Sequence, residues 1–488
     1  MRNAPARISL CWMLASSAGT VGFVSLACKG HSRTDPRYAE NAPSEREAPM
    51  RVLLQRPAPD NFGGGVVHVE KTHQYLRSLG VDAECTFEVE PDLRGYDLVH
   101  LFSTPKVQAL YAQCANARRR ERPVVFSSIY WNEPARDECV TSQQRRGPEE
   151  ALNRAMDLQL YGAIVAESDL VLTASAMEQQ WLARDFGISP EKQRVVPLAA
   201  EPFFADGDAA WFVQRYGVRD FVLCAAAVGA AKNQLRLIRA MRDLDAHLIL
   251  AYTYAEAAYL ERCRREASDR VMFLGELSQE QLACAYAAAR VHALVSCYEP
   301  TGLSTLEAGL ARCNLVCTEN SPIREYVGDL GWYCDPCDVN SIRRAIEMAN
   351  LAPRSNAARE HIRASFTWER TAKMTLAAYE ELLSARETPV RGKGEARFRR
   401  LRAFAAGVES ARACALQAMA EARQPAVRGE VEELEREVEE LEREVAALRA
   451  ALAHTEAEFR AVTGTWAYRL YHRLASGWLY RLIGRKRA

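Results

Sequence analysis

The sequence predicts an α/β chain built as two doubly wound, parallel-sheet halves that face a cleft. Short apolar runs of strand character alternate with helical stretches from residue 50 onward. The alternation is interrupted near 201–219 and then starts again, and after residue 385 its character changes altogether. Strand–helix alternation of this kind argues for parallel sheets covered on both faces. A length of 488 residues suits two or three domains.

In the first half, taken as 50–205, strands are expected at 51–54, 81–87, 97–102, 123–130, 170–173 and 194–197. Helices are expected at 66–79, closed by Gly80, and at 105–120, 149–166 and 176–186. In the second half, 206–386, strands are expected at 221–226, 247–252, 271–273, 291–295, 314–318 and 331–334. Its helices fall at 235–242, 256–266, 279–287, 304–311 and 368–383. Ligands of open parallel sheets sit outside the carboxyl ends of the strands, so those loops are where chemistry is expected.

One such loop carries the most information. The segment EPTGLSTLEA, residues 299–308, sets Glu299 and Glu307 eight positions apart where an apolar strand passes into a helix. Gly302 lets the backbone approach a ligand closely, and the first N–H groups of the helix, at Gly302, Leu303 and Ser304, form an anion site. At 100° per residue Ser304 and Glu307 lie on adjoining faces of the first turn. Phosphates with hydroxyl groups on both sides of them fit that layout, as in a nucleotide sugar.

This spacing resembles the E-x7-E signature of retaining GT-B glycosyltransferases (group 1, family 4-like), in which two Rossmann-like domains face a cleft. The run CNLVCTENSPIREYVGDLGWYCDP, 313–336, extends the likeness, and KNQLRLIRAM, 232–241, resembles the family's "RKN" segment. The resemblance spans roughly 50–386. It implies that Glu299 contacts the donor sugar, Glu307 the nucleotide ribose and Lys232 the diphosphate. Asn233, Gly302, Leu303 and Ser304 stand beside them, and Gly64 and Gly65 of the Gly63-Gly64-Gly65 run can offer amides to the phosphates. Glu299 and Lys232 are the candidate catalytic residues. The resemblance further implies front-face displacement, no metal or other cofactor, an acceptor (a glycan or a lipid-linked one) in the first half, and a helix near 368–383 that crosses back to that half. The SIYW stretch, 128–131, looks like a subgroup's strand-end motif.

The pattern is departed from at three places. Ala231 replaces the Arg that precedes the Lys, Ala226 the strand-end Gly, and Arg312 the Gly of the turn after the second Glu. One cation fewer at a diphosphate is worth about 1–3 kcal/mol. Arg312 and Arg324 are the candidates to replace it. Asp243-Leu244-Asp245 mimics a metal-binding D-x-D but precedes the wrong kind of strand. His100 ends a strand and reads as a core residue as readily as a site residue, and His68 and His73 on the first helix are weaker site candidates.

Composition excludes little. Sixty-three basic and sixty-three acidic residues cancel, so no overall field points to nucleic acid. The fourteen cysteines are scattered and several, such as Cys224, Cys284 and Cys297, fall within apolar segments, as reduced thiols of a cytoplasmic protein do. Cys313, Cys317, Cys334 and Cys337 approach zinc-ribbon spacing, but the first pair flanks a strand and no metal site is assigned. Residues 1–49 are compatible with a signal peptide, a lipoprotein signal ending at Cys28 or a weak anchor. The preferred reading is a start at Met50, where MRVLLQ opens the first strand.

Beyond the second half, 387–428 reads as a linker and an Arg- and Ala-rich helix, and 429–458 as a coiled coil. Val431, Val438, Val445 and Leu452 occupy a positions, and Leu434, Leu441 and Leu448 d positions. Valine at a with leucine at d favours a parallel two-stranded coil, but Glu435, Glu437, Glu442 and Glu444 on the flanks repel in a homodimer, so a basic partner or a packed intrachain helix stands beside self-pairing. The tail, 459–488, mixes Arg460, Arg469, Arg473 and Arg485 with Trp466, Tyr468, Tyr471 and Trp478 and suits an anionic membrane surface, on the cytoplasmic side of the inner membrane. The protein is expected to co-sediment with anionic liposomes, less so as salt rises. Unchanged partitioning after deletion of 459–488 would refute this.

Overall fold

The computed structural model describes residues 49–56, 63–131, 139–140, 148–385, 394–422, 436, 440 and 443–447. The expected leader and basic tail lie outside these residues. So does the heptad run, apart from a few helical positions that include an exposed Val445.

The first half follows the order β1 (Arg51–Gln55), α1 (Gly64–Ser78), β2 (Asp82–Thr86), β3 (Leu98–Phe102), α2 (Val107–Arg119), β4 (Val124–Ser127), α3 (Pro148–Glu167), β5 (Leu170–Thr173), α4 (Ala176–Phe186) and β6 (Gln193–Val195). The second half opens with α5 (Ala209–Tyr216), then β7 (Val222–Ala225), α6 (Gln234–Met241), β8 (Leu248–Ala251), α7 (Ala257–Glu266), β9 (Val271–Gly275), α8 (Gln279–Ala288) and β10 (Val291–Leu294). It continues with α9 (Leu303–Leu310), β11 (Asn314–Thr318), α10 (Ile323–Val327), β12 (Gly331–Cys334), α11 (Val339–Leu351) and α12 (Ala357–Ser365). Two long helices follow, α13 (Trp368–Ser384) and α14 (Gly394–Ala422).

Each half holds a six-stranded sheet, ordered β2-β1-β3-β4-β5-β6 and β12-β11-β10-β7-β8-β9, and every strand pair is parallel. Successive side chains along a strand enter opposite cores: Leu53 joins one apolar cluster while Val52 and Leu54 join another. Val222 and Cys224 part from Leu223 and Ala225 in the same way. Strands covered on both faces, such as β7 and β8, are therefore apolar throughout and visible in the sequence, whereas the edge strands β2 and β6 carry Asp82, Glu84, Gln193 and Arg194. The strand order reverses between β1 and β3 in one sheet and between β7 and β10 in the other. At those switch points adjacent crossover helices lie on opposite faces and leave a crevice at the carboxyl ends.

Three helices lie where no element was read. Asp208 caps α5 by accepting from the Ala210 N–H, and Gly217 ends it with φ +74°. Asp338 caps α11 in the same way, and α12 stands between α11 and α13. The stretch read as a linker and Arg-rich helix is also more than a connector. Phe398, Leu401 and Val408 of α14 are buried in the first half's core against α2 and α3. The Tyr111 hydroxyl donates to the Leu401 carbonyl at 2.8 Å, and Arg119 pairs with Glu395 at 3.0 Å.

The chain does cross back. Ala372, Ala378 and Tyr379 of α13 pack with Leu54, Val69 and Leu76 of the first half, and the Thr371 hydroxyl donates to the Pro197 carbonyl. Tyr379 also meets His100, whose ring bonds its hydroxyl on one nitrogen and Ser127 Oγ on the other. His100 is thus a core residue, its pKa well below the ordinary value because burial disfavours the imidazolium. His68 lies edge-on to Phe102 and stacked near Trp368, and His73 bonds the Ala83 carbonyl.

From the second half α10 reaches over to α4. Both Glu325 oxygens accept from α4, from Ala176 N at 2.7 Å and Met177 N at 2.8 Å. The neighbouring Tyr326 hydroxyl donates to the Ala174 carbonyl at 2.6 Å and accepts from Leu198 N at 3.1 Å.

Burial lowers the pKa of His68 to about 4. Its folded value lies below its unfolded one, so on acidification the unfolded chain takes up the proton first. Stability from this group is complete above pH 6.5 and falls toward pH 4, by about 2 kcal/mol at pH 5. Urea unfolding at pH 7.5 and pH 5 is expected to show His68→Gln losing about 2 kcal/mol less than wild type over that interval.

Candidate functional site

The second sheet's switch point gathers the carboxylates. β10 ends at Leu294, and the chain runs on through Ser296 and Tyr298 to Glu299 and the turn before α9. Glu299 is buried, and its Oε2 accepts from Ser296 Oγ at 2.9 Å and from Lys232 Nζ at 2.5 Å. Ser321 Oγ, beyond β11, donates to the Glu299 carbonyl at 2.8 Å and fixes the loop. Lys232 arrives from the end of β7, the other strand of the switch point, and its side chain remains 31% exposed beside the 9% of Glu299. A cation that neutralises a buried carboxylate while keeping solvent contact can turn to an incoming anion without leaving the site.

Asn233 takes a different place from the one expected. It sits in the left-handed region at φ +66°, is wholly buried, and donates to the carbonyls of Val295 and Pro336, each at 2.8 Å, while its oxygen accepts from Arg236. Its side chain is spent on binding the β7 loop to the ends of β10 and β12. It thereby positions the neighbouring Lys232.

Gly302 starts α9 at φ +69°, with Ile323, Glu299 and Thr305 all within 3.2–3.3 Å of where a Cβ would stand. Both the conformation and the space require glycine. Leu303 meets the first half: a Cβ on Gly64 would lie 3.3 Å from Leu303 Cδ1. The starts of α1 and α9 therefore abut across the cleft, each carrying N–H groups that an anion can accept from. Ser304 Oγ lies 3.5 Å from Nε2 of His292, a buried His whose pKa burial lowers to about 3. Glu307, one turn into α9, accepts from the Tyr286 hydroxyl at 2.9 Å. Burial pushes its pKa up to about 7, and the tyrosine hydrogen bond opposes that rise.

The substitutes proposed for the missing cation do not stand alike. Arg312 follows α9 and precedes β11, at the amino edge of the sheet, and so cannot serve the carboxyl-end site. Arg324 lies on α10 with its guanidinium 4.1 Å from the Tyr333 ring. Ala231 packs against the second half's core and its carbonyl accepts from Cys297 N at 2.8 Å. Asp243 and Asp245 also lie at the amino edge, paired with Arg343 and Arg270. Cys313 turns its thiol to the Tyr286 carbonyl and Cys334 to that of Cys317. Among the described residues no group of three or more His, Cys, Asp or Glu is placed to hold a metal ion.

The first half faces this site with a cavity of about 620 Å³. Trp131, from the SIYW stretch after β4, stacks on Tyr298 with ring centroids 4.3 Å apart, so the residue before Glu299 also walls the cavity. The loop behind Trp131 is held by Glu178 of α4, whose oxygens accept from Ser128 Oγ, Tyr130 N and Ala174 N. Burial raises that carboxyl to about 7. Sequence reasoning missed Tyr298, Tyr286, Glu178 and Arg56. Only the position of Arg56 and Tyr298 after apolar strands marks them in the sequence.

Two parallel α/β domains with their carboxyl ends turned to a shared cleft define the GT-B class of glycosyltransferases. The chain belongs to the group 1 glycosyltransferases: residues 211–363 match the family "Glycosyl transferases group 1", and residues 22–199 match "Glycosyl transferase 4-like domain". Among curated proteins it is similar to O-antigen chain mannosyltransferase B of Escherichia coli, 27% identical over 47% of this chain and 65% of that one. It is 30% identical to D-inositol 3-phosphate glycosyltransferase of Geodermatophilus obscurus, over 47% of this chain and 57% of that one. The match to MMP alpha-(1->4)-mannosyltransferase of Mycolicibacterium hassiacum is 26% identical, over 44% and 54%. The chain thus spans between half and two-thirds of the length of these relatives. Sucrose-phosphate synthase from Thermosynechococcus elongatus shares the fold at a TM-score of 0.56 and 19% identity, over 69% of this chain and 100% of that one. Anabaena Alr3699/HepE, solved in complex with UDP and glucose, does so at 0.53 and 18%, over 68% and 100%.

Glu307 has a consequence for stability. Its folded value, about 7, lies above the ordinary 4.5, so as pH rises the unfolded chain releases the proton first. The associated stability is complete below pH 4.5 and is lost toward pH 7. Glu307→Gln is expected to gain on the order of 2 kcal/mol over wild type between pH 5 and pH 7.5 in urea unfolding.

Proposed function

We propose that this protein is a retaining glycosyltransferase that moves a sugar from a nucleotide-diphosphate donor to a glycan or lipid-linked acceptor in cell-surface polysaccharide assembly. The observation that carries the proposal is the Lys232–Glu299 pair at one switch point, beside the abutting starts of α1 and α9. Lys232, the amides of Gly302, Leu303 and Ser304, and those of Gly64 and Gly65 meet the diphosphate charge without a metal. Glu299, relieved of Lys232, accepts hydrogen bonds from the sugar, and Glu307 accepts from the ribose hydroxyls. The acceptor hydroxyl attacks the anomeric carbon on the face the diphosphate leaves, and a phosphate oxygen takes its proton. Preorganised donors around the leaving group supply the stabilisation that such a step needs. The curated relatives, mannosyltransferases and an inositol-phosphate glycosyltransferase by name, support this class of reaction. The basic aromatic tail would hold the enzyme to an anionic cytoplasmic membrane surface where lipid-linked acceptors lie. Among the described residues no helix is long and apolar enough to cross a membrane.

Ala231 favours a second reading, a scaffold that binds nucleotide or glycan without turnover. The position is turned into the protein and supplies no charge, so the diphosphate side has one cation fewer than the family pattern.

A donor panel separates the two. Turnover requires nucleotide-sugar hydrolysis or transfer and a nucleoside-diphosphate melting shift. A shift without release of sugar supports the scaffold, and neither response removes both readings. Lys232→Ala is expected to weaken nucleoside-diphosphate binding about 10- to 100-fold, since a charge-assisted contact contributes about 1.5–3 kcal/mol. Glu299→Gln should lower turnover by more than it lowers nucleotide binding.

A further inference from the structure

Arg56 follows β1 at the switch point of the first sheet, the position that Lys232 and Glu299 hold in the second. It is 8% exposed, and its guanidinium carbon lies 4.7 Å from the centre of the Phe87 ring. Its Nε and Nη1 are buried and have no hydrogen-bond partner among the described residues. The main chain holds it in place: its N–H donates to the Thr86 carbonyl at 3.3 Å, and its own carbonyl accepts from Gln113 at 3.5 Å.

A buried guanidinium cannot lose its proton to escape the cost of burial, unlike a lysine or histidine. Buried charges persist when something of opposite sign satisfies them. Arg56 opens onto the 620 Å³ cavity, and no carboxylate of the cavity wall is bonded to its Nε or Nη1. Thr104 after β3 lines the same space, so a hydroxyl accompanies the cation. A planar guanidinium with adjacent N–H and O–H donors binds an oxyanion more strongly than a neutral hydroxyl, because both partners are charged. The cavity reaches Tyr298, the residue before Glu299, so a molecule held there borders the donor site.

We propose that this cavity is the acceptor site and that it selects its acceptor by an anionic group, a phosphate or a carboxylate, paired with Arg56. The acceptor is then a phosphorylated or acidic saccharide and not a neutral one. This rests on the glycosyl-transfer reading. The phosphate of a sugar ester, that of a lipid-linked saccharide and the carboxylate of a uronic acid share the chemistry.

The experiment fills the donor site with saturating nucleoside diphosphate and follows melting while hexose, hexose 6-phosphate, hexuronic acid or a short-chain prenyl-phosphate saccharide is titrated. Wild type is expected to bind at least one anionic member ten-fold or more tighter than hexose, and which members respond names the source of the anion. Arg56→Gln should abolish that preference, raise the melting temperature of the unliganded protein and leave nucleoside-diphosphate affinity within two-fold. If Arg56→Gln does not fold, Arg56→Lys provides the readout, with several-fold weaker binding of the anionic member. Equal binding of hexose and all anionic members, or a preference that survives loss of the guanidinium, overturns the proposal. Failure of the glycosyl-transfer reading is distinct, since it appears as absence of any nucleoside-diphosphate shift in wild type.

Discussion

Glu325 and Tyr326 are the contact on which the arrangement of the cleft depends. A carboxylate on α10 of the second half accepts from the first two amides of α4 in the first half, groups that no helix can satisfy internally. The adjacent hydroxyl bonds both the strand end before α4 and the segment after β6. Four hydrogen bonds from two neighbouring residues thereby set how the two carboxyl edges face one another. Removing Glu325 would leave helix amides bare, so the contact is polar yet specific. Trp131 on Tyr298 and Gly64 against Leu303 rest on the spacing that this clamp imposes.

The charges in the cleft are held at unequal degrees of satisfaction. Glu178 is buried but accepts three hydrogen bonds, and it shapes the SIYW loop without needing a ligand. Glu299 is neutralised by a lysine that keeps solvent contact. Glu307 has one hydrogen-bond donor among the described residues, the Tyr286 hydroxyl, and burial favours its protonated form. Among the described residues, Arg56 has neither an acid nor an acceptor at two of its nitrogens. Each step along that series leaves more to be supplied from outside the protein.

The central strands were legible because both faces of each sheet are covered there, which makes each of them a short apolar run bounded by turns. The Glu299–Glu307 spacing was legible for the same local reason: one strand, one turn and the first helical turn hold it together. Short helices were harder. The eight residues of α5 give barely two turns of periodicity, so only Asp208 and Gly217 mark it. The bracing role of Asn233 was not legible, because the carbonyls that its side chain bonds belong to residues 62 and 103 positions away.

By itself the sequence determined the alternating elements, the two-domain class and the carboxylates at one helix start, since each depends on residues within a few turns of one another. The tertiary structure alone decided that Lys232 pairs with Glu299, that α14 completes the first half's core, and that Arg56 stands buried beside an open cavity. Burial and charge pairing are set by segments distant along the chain, and no local pattern records which of them will meet.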